Sequence, residues 1–161
     1  MTWLIALFAL AAVMGSVMWL RPSPAQQRQA RLRERARQLG LDVRLAPLPQ
    51  TRRARVRKES ADSGVVYRLM RFDLTAMPAQ LFVLVREAGA EEWERQSPTE
   101  LSPAVVAVIE KVLPRLPRDV VAVELTPQGP GFYWREQGDD ETVATLRTLL
   151  GEIADAAALG R

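Results

Sequence analysis

Arg53, Arg55, Arg57 and Lys58 crowd four positive charges into six residues, the densest basic run in the sequence outside the segment near its amino terminus. If the run is extended, the three arginines share one face, because side chains alternate across a strand. Such a face can meet an acidic partner or the phosphates of lipid or nucleic acid. The plainer expectation is a solvated edge strand whose charges block edge-to-edge pairing, opposite Glu91, Glu92 and Glu94. The acidic groups Glu91-Glu92-x-Glu94 and Asp139-Asp140-Glu141 read first as solvated loop and helix-start charges, and nothing in their spacing marks a hard-metal site. Lys58 and Ser60 lie two apart, with no motif that pairs them as base and nucleophile.

What is missing narrows the chemistry further. The chain has no cysteine and no histidine, which removes disulfide scaffolds, zinc or haem sites built on those residues, cysteine nucleophiles and Ser-His-Asp triads. Gly129-Pro130-Gly131 is a turn and not a phosphate loop, since neither GxGxxG nor GxxxxGK[ST] occurs, and Phe132-Tyr133-Trp134 after it reads as core strand before stacking platform. No catalytic residue, metal ligand set or cofactor is expected. Residues 41–161 hold sixteen basic and eighteen acidic side chains, a balance that argues against nucleic acid as a partner.

These residues must be carried by a chain of 161 residues, enough for one compact domain and one membrane segment. Thr2 to Leu20 holds no charge in nineteen residues; as a helix it would be about 28 Å long, the thickness of a bilayer's hydrocarbon core. Trp3 and Trp19 fall near its ends, where aromatic rings prefer the headgroup level. The segment reads as a retained transmembrane anchor over residues 1–21. A cleaved signal peptide would carry its positive charge before the apolar run, and here the charge follows it. Residues 1–71 hold thirteen arginines and one lysine against four acids, whereas residues 72–161 hold eight basic and fifteen acidic residues. Arg21, Arg28, Arg31, Arg33, Arg35 and Arg37 crowd the carboxyl-terminal flank. The positive-inside rule then predicts a bacterial inner-membrane, single-pass protein with its amino terminus outside and its domain cytoplasmic. Within the span, Ala11 with Gly15 and Ala12 with Ser16 form small-x-x-x-small pairs, surfaces on which two such helices can approach as a homodimer.

Ser23 as N-cap, Pro24 at the first helical position and Gly40 as a stop predict a basic juxtamembrane helix within residues 22–40. Ala25, Leu32, Ala36 and Leu39 make a narrow stripe flanked by arginines. The stripe either rests on the membrane surface, with the arginines on lipid phosphates, or packs on the protein's own domain.

From Leu41 the pattern changes to period two, and residues 41–161 are expected to form a soluble α+β domain. Leu41 to Leu45 makes a short strand that Pro47 and Pro49 end. Arg53 to Arg57 and Val65 to Phe72 make a hairpin through Ala61 to Gly64; Leu81 to Arg86 and Trp93 to Gln96 make a second; Val120 to Leu125 and Phe132 to Glu136 make a third. Ser102-Pro103 starts a helix with Val105, Val108, Ile109 and Val112 inward, and Asp139 or Asp140 caps another with Val143, Leu146, Leu150 and Ile153 inward. The expected architecture is an antiparallel sheet of hairpins with two helices on one face, behind the anchor and the basic helix.

The opening layout, a span followed by Leu20-Arg21-Pro22-Ser23-Pro24-Ala25-Gln26-Gln27-Arg28, resembles the YajC-type accessory subunits of the bacterial preprotein translocase. Those subunits pair a span and a glutamine- and basic-rich helix with a small β-rich cytoplasmic domain. The resemblance covers about the first quarter of the chain and implies a translocase accessory role. The glycine-rich turn pattern that follows in that family has no equivalent here, and the domain is longer, with two extra helices.

Taken together, the residues lead to an inner-membrane adaptor or accessory protein, integral in lipid, with a non-catalytic domain that binds a protein partner. An anionic-lipid sensor acting through the basic helix and a membrane-tethered enzyme working through carboxylates are the competing classes. The orientation is directly testable: an alkaline phosphatase fused to the carboxyl terminus is expected to be inactive, and an active fusion would place the domain outside.

Overall fold

The computed structural model describes Trp3, Ile5, residues 23–71 and residues 81–159. The expected span Thr2 to Leu20, apart from Trp3 and Ile5, lies outside the described residues, and with it Ala11, Ala12, Gly15, Ser16 and the flanking Arg21. Among the described residues no helix is long and apolar enough to cross a membrane. The chain divides into two compact units, residues 1–31 and 32–161.

In the first unit, the helix start behaves as its residues dictate. The Ser23 hydroxyl accepts from the Gln26 backbone N–H at 3.2 Å, and the Gln26 side chain accepts from the Ser23 N–H at 2.8 Å. This reciprocal capping box opens helix α1, Pro24–Gln38. Gly40, at φ 78°, turns the chain out of the helix in the second unit.

The second unit is α+β. After α1 come β1 (Asp42–Pro47), the short helix α2 (Arg52–Val56), β2 (Ser63–Arg68), β3 (Phe82–Val85), β4 (Glu94–Arg95), α3 (Pro103–Val112) with a 3-10 turn at Leu113–Arg115, β5 (Val120–Thr126), β6 (Gly129–Trp134) and α4 (Asp140–Leu159). Six strands form one sheet in the order β1-β2-β6-β5-β3-β4, with every neighbouring pair antiparallel. The β3–β4 hairpin falls where the alternation put it, and so does the β5–β6 pairing, but the turn of the latter is only residues 127–128. Gly129-Pro130-Gly131, expected as the turn, pair with Thr126, Leu125 and Glu124 as the start of β6, which ends at Trp134 and not at Glu136. Ser102 caps α3, its hydroxyl facing the Val105 N–H at 3.5 Å, and Asp139 caps α4, accepting from the Thr142 N–H at 2.9 Å.

One hairpin is different. Arg53 to Val56 is helical, and the partner of β2 is β1, with Val43 opposite Tyr67 and Leu45 opposite Val65. The physical reason lies in what the Arg53-Ala54-Arg55-Val56-Arg57 alternation offers: its inward positions would be one alanine and one valine, too little apolar surface to hold a strand. Arginine and alanine are good helix formers, and Thr51 supplies the cap by accepting from the Ala54 N–H at 3.3 Å.

One face of the sheet carries the core. Val65, Tyr67, Phe82, Leu84, Val123, Leu125, Phe132 and Trp134 meet Val105, Ile109 and Val112 of α3 and Val143, Leu146, Leu149, Leu150 and Ile153 of α4. Leu32 and Ala36 of α1 are fully buried in the same cluster, with Leu39 packed against it. Three helices therefore cover this face where two were expected, and the core begins ahead of Leu41. The α1 stripe packs on the domain over this half of the helix.

At the β5–β6 tip, Gly129 has φ 139°, and a Cβ there would stand 2.0 Å from the Leu69 carbonyl oxygen. Strain and a backbone clash coincide, so Gly129→Ala is expected to lower the thermal midpoint of the purified protein. Leu150→Ala, by emptying a fully buried site, should cost about 2 to 5 kcal/mol in denaturant unfolding.

Candidate functional site

Charged residues set inside apolar runs must find partners, because burying an isolated ion costs several kcal/mol. Glu124 sits in the middle of β5 and is 2% exposed. The strand registers set Arg68 of β2, Gly131 of β6 and Glu124 of β5 in one row. Arg68 Nε donates to Glu124 Oε1 at 2.9 Å, its Nη2 donates to the same oxygen, and the Tyr133 hydroxyl donates to Oε2 at 3.0 Å. The ion pair thus passes over a whole strand. It can do so because Gly131 lacks a side chain: a Cβ there would lie 2.8 Å from Glu124 Oε1 and 3.0 Å from its Cγ. Burial first, and then the Glu124 carboxylate, pushes the Tyr133 phenol up to about 12.

Glu136 is the second buried carboxylate, also 2% exposed, and holds the left-handed backbone at φ 59° that non-glycine residues rarely adopt. Arg33 of α1 clamps it in a fork, Nε to Oε1 at 2.8 Å and Nη2 to Oε2 at 2.6 Å. The Tyr67 hydroxyl donates to Oε1 at 2.7 Å. The hydrogen bond to Glu136 raises the Arg33 pKa, while burial, followed by the bond to Glu136, raises that of Tyr67. Trp134 sets its ring edge-on to Tyr67, centroids 5.3 Å apart. Three elements meet at this carboxylate: α1, β2 and the loop between β6 and α4.

A third buried charge, Arg86, binds backbone instead. Its Nε donates to the Val120 carbonyl at 2.7 Å, at the irregularity where the β5–β6 register shifts, and its Nη2 donates to the Pro117 carbonyl. The guanidinium lies 4.5 Å from the centre of the Trp93 ring. Burial lowers its pKa. All three arginines are fastened to groups that hold the fold.

Comparison with protein-family models, with curated proteins and with solved structures returns no match. The chemistry must be read from the surface itself.

Outside α1, the concentrated charge left at the surface is on α2. Residues 48–62 make an excursion between β1 and β2 whose ends are joined by the Leu48 N–H donating to the Asp62 carbonyl at 2.8 Å. The Gln50 side chain donates to the Glu59 carbonyl at 2.7 Å, Gln96 donates to the Gln50 carbonyl, and Glu94 accepts from the Arg52 N–H at 3.0 Å. On this braced excursion Arg52, Arg53, Arg55, Arg57 and Lys58 are exposed. Arg57 lies 3.8 Å from Glu59. The side chains of Arg52, Arg53, Arg55 and Lys58 make no ion pair among the described residues. A cleft of about 450 Å³ beside α2 is lined by Arg53, Arg57, Arg86 and Arg135 together with Glu59, Asp62 and Glu87. A shallower hollow of about 640 Å³ is lined by Arg52, Arg53, Val56, Arg57, Glu94 and Arg95.

The structure therefore keeps Arg53, Arg55, Arg57 and Lys58 together on a short helix in place of a strand face. Of the acids expected opposite them, Glu94 does reach α2. On α1, Arg28, Arg31, Arg35 and Arg37 are exposed, and Arg37 pairs loosely with Glu34 at 3.7 Å. Arg33 is withdrawn from that set by Glu136. The Arg33–Glu136 and Arg68–Glu124 pairs join residues 103 and 56 positions apart, beyond the reach of any local pattern. A charge within an apolar strand, as at Glu124, was the one available signal that a partner existed.

Arg33→Met strands Glu136 in the interior. It is expected to destabilise the protein by about 3 kcal/mol in denaturant unfolding, the low end for a broken buried pair because Arg33 keeps 26% of its side-chain exposure. At alkaline pH the sign is set by the raised phenols. The unfolded Tyr133 ionises near its ordinary 10.0 and the folded one only near about 12, so its contribution is complete below pH 10.0 and is lost as pH rises through that window. Tyr133→Phe should flatten the fall in the thermal midpoint across that range.

Proposed function

We propose that the chain is a single-pass inner-membrane adaptor whose α+β domain lies on the cytoplasmic side and binds a protein partner without catalysing a reaction. The observation that carries this reading is the excursion over residues 48–62, pinned at its base by the Leu48–Asp62 bond and tipped with exposed charge. Compact loops of this kind, closed at the base and braced by their own side chains, are frequent sites of recognition. Their rigidity matters because a surface ordered before contact loses less entropy on binding.

The fate of the buried charges supports the same reading. Glu124 and Glu136 each accept from an arginine and a tyrosine, so their lone pairs hold the sheet and the helices together. The basic helix contributes to placement: the stripe residues Leu32 and Ala36 are buried in the domain core, which leaves exposed arginines but little apolar surface on that stretch for a lipid surface to take up.

Affinity capture of the full-length protein from native membranes is the test. One protein partner should be recovered in near-stoichiometric amount and should be lost when residues 49–60 are replaced by a short glycine-serine link. Recovery of nothing beyond the protein itself, or a partner indifferent to the replacement, would overturn the reading.

A further inference from the structure

We infer that the α2 ridge is a docking surface for an acidic segment of a protein partner, one that carries an apolar side chain between its carboxylates. This rests on the adaptor reading and names the chemistry of the partner.

Charge comes first. Arg52, Arg53, Arg55, Arg57 and Lys58 place five cations in seven residues, all exposed. Like charges three and four apart on a helix repel, and here Arg57 alone of the five side chains forms an ion pair among the described residues, with Glu59 at 3.8 Å. The free protein therefore carries a repulsion that an anionic occupant relieves. Guanidinium groups bind carboxylates in a fork, with direction as well as charge.

Shape comes second. Arg53 and Arg57, four apart, line both the 450 Å³ cleft and the 640 Å³ hollow, and so form the rim that divides them. Val56 lines the second hollow and is 76% exposed, an aliphatic side chain set among arginines. A segment crossing the rim can set carboxylates on Arg53 and Arg57 and an apolar side chain on Val56.

The same geometry separates an acidic peptide from other polyanions. A five-residue helix is about 8 Å long, which two or three extended peptide residues match. Glu59, Asp62, Glu87 and Glu94 line the two hollows, so a long phosphate backbone or a charged bilayer laid across α2 would meet carboxylates on either side. Over residues 41–161 the acids outnumber the bases, eighteen to sixteen, and the field that draws nucleic acid from a distance is lacking.

The experiment uses the full-length protein in non-ionic detergent and a fluorescein-labelled peptide rich in Asp and Glu with one central Leu, read by fluorescence anisotropy. Binding is expected to weaken about tenfold or more in R53E/R57E, to weaken only a few-fold in R53K/R57K, and to fall steeply as salt rises from about 0.05 M to about 0.5 M. V56S should weaken it several-fold, and the Asn/Gln version of the peptide should not bind. The substituted side chains are exposed, and an unchanged circular dichroism spectrum checks that the fold is intact. No binding by the acidic peptide, or equal binding to R53E/R57E, overturns the inference; so does tighter, R53E/R57E-sensitive binding of a single-stranded RNA oligonucleotide or of anionic nanodiscs. Membrane capture separates the two readings. If R53E/R57E recovers the same partner as the unaltered protein, the adaptor reading stands and this surface is not its site. If capture recovers nothing while the peptide still binds, the surface chemistry stands and the adaptor reading falls.

Discussion

The Arg33–Glu136 fork is the interaction on which the arrangement of the second unit turns. Glu136 sits where the chain leaves the sheet for α4, in a backbone conformation that costs energy unless its surroundings hold it. The arginine that holds it comes from α1, and the tyrosine that shares the carboxylate comes from β2. Removing Glu136 leaves both donors without their acceptor, and removing Arg33 leaves the buried carboxylate with the Tyr67 hydroxyl alone, so the three elements depend on one another. The fork also fixes which side of α1 faces inward, and Leu32 and Ala36 follow it into the core.

A second consequence concerns where charge is allowed to be free. Interior arginines are each tied down: Arg33 and Arg68 by carboxylates, Arg86 by carbonyls and an aromatic ring. On α2 the opposite holds: cations stand close together, and among the described residues Arg57 alone of their side chains forms an ion pair. The contrast is what makes α2 a candidate for contact with something outside the chain, because the fold itself gains nothing from that repulsion.

Much of this was readable in the residues. The capping signals at Ser23, Ser102 and Asp139 marked three helix starts, and the apolar spacing of Val143, Leu146, Leu150 and Ile153 marked the buried face of α4. Two hairpins followed from alternation between turn residues. The alternation of Arg53 to Arg57 misled because period two was present without an apolar face to bury, and Thr51 was a cap that went unread. The order of strands was out of reach, since β1 pairs with β2 across the α2 excursion and β6 lies between β2 and β5. Of the candidate site, the basic cluster was visible as composition; the hollows beside it arise from the β3–β4 region and Arg135, far along the chain.

Gly131 carries a further implication, for how this sequence can change over time. The residue is small because the Glu124 side chain lies over it to reach Arg68. Any larger side chain there becomes acceptable only once the pair it obstructs has been given up, and giving up one member alone leaves the other buried and charged. Positions 68, 131 and 124 should therefore show strong epistasis: Arg68 and Glu124 replaced together or not at all in natural variants of this chain, and a side chain at 131 only where both have been replaced.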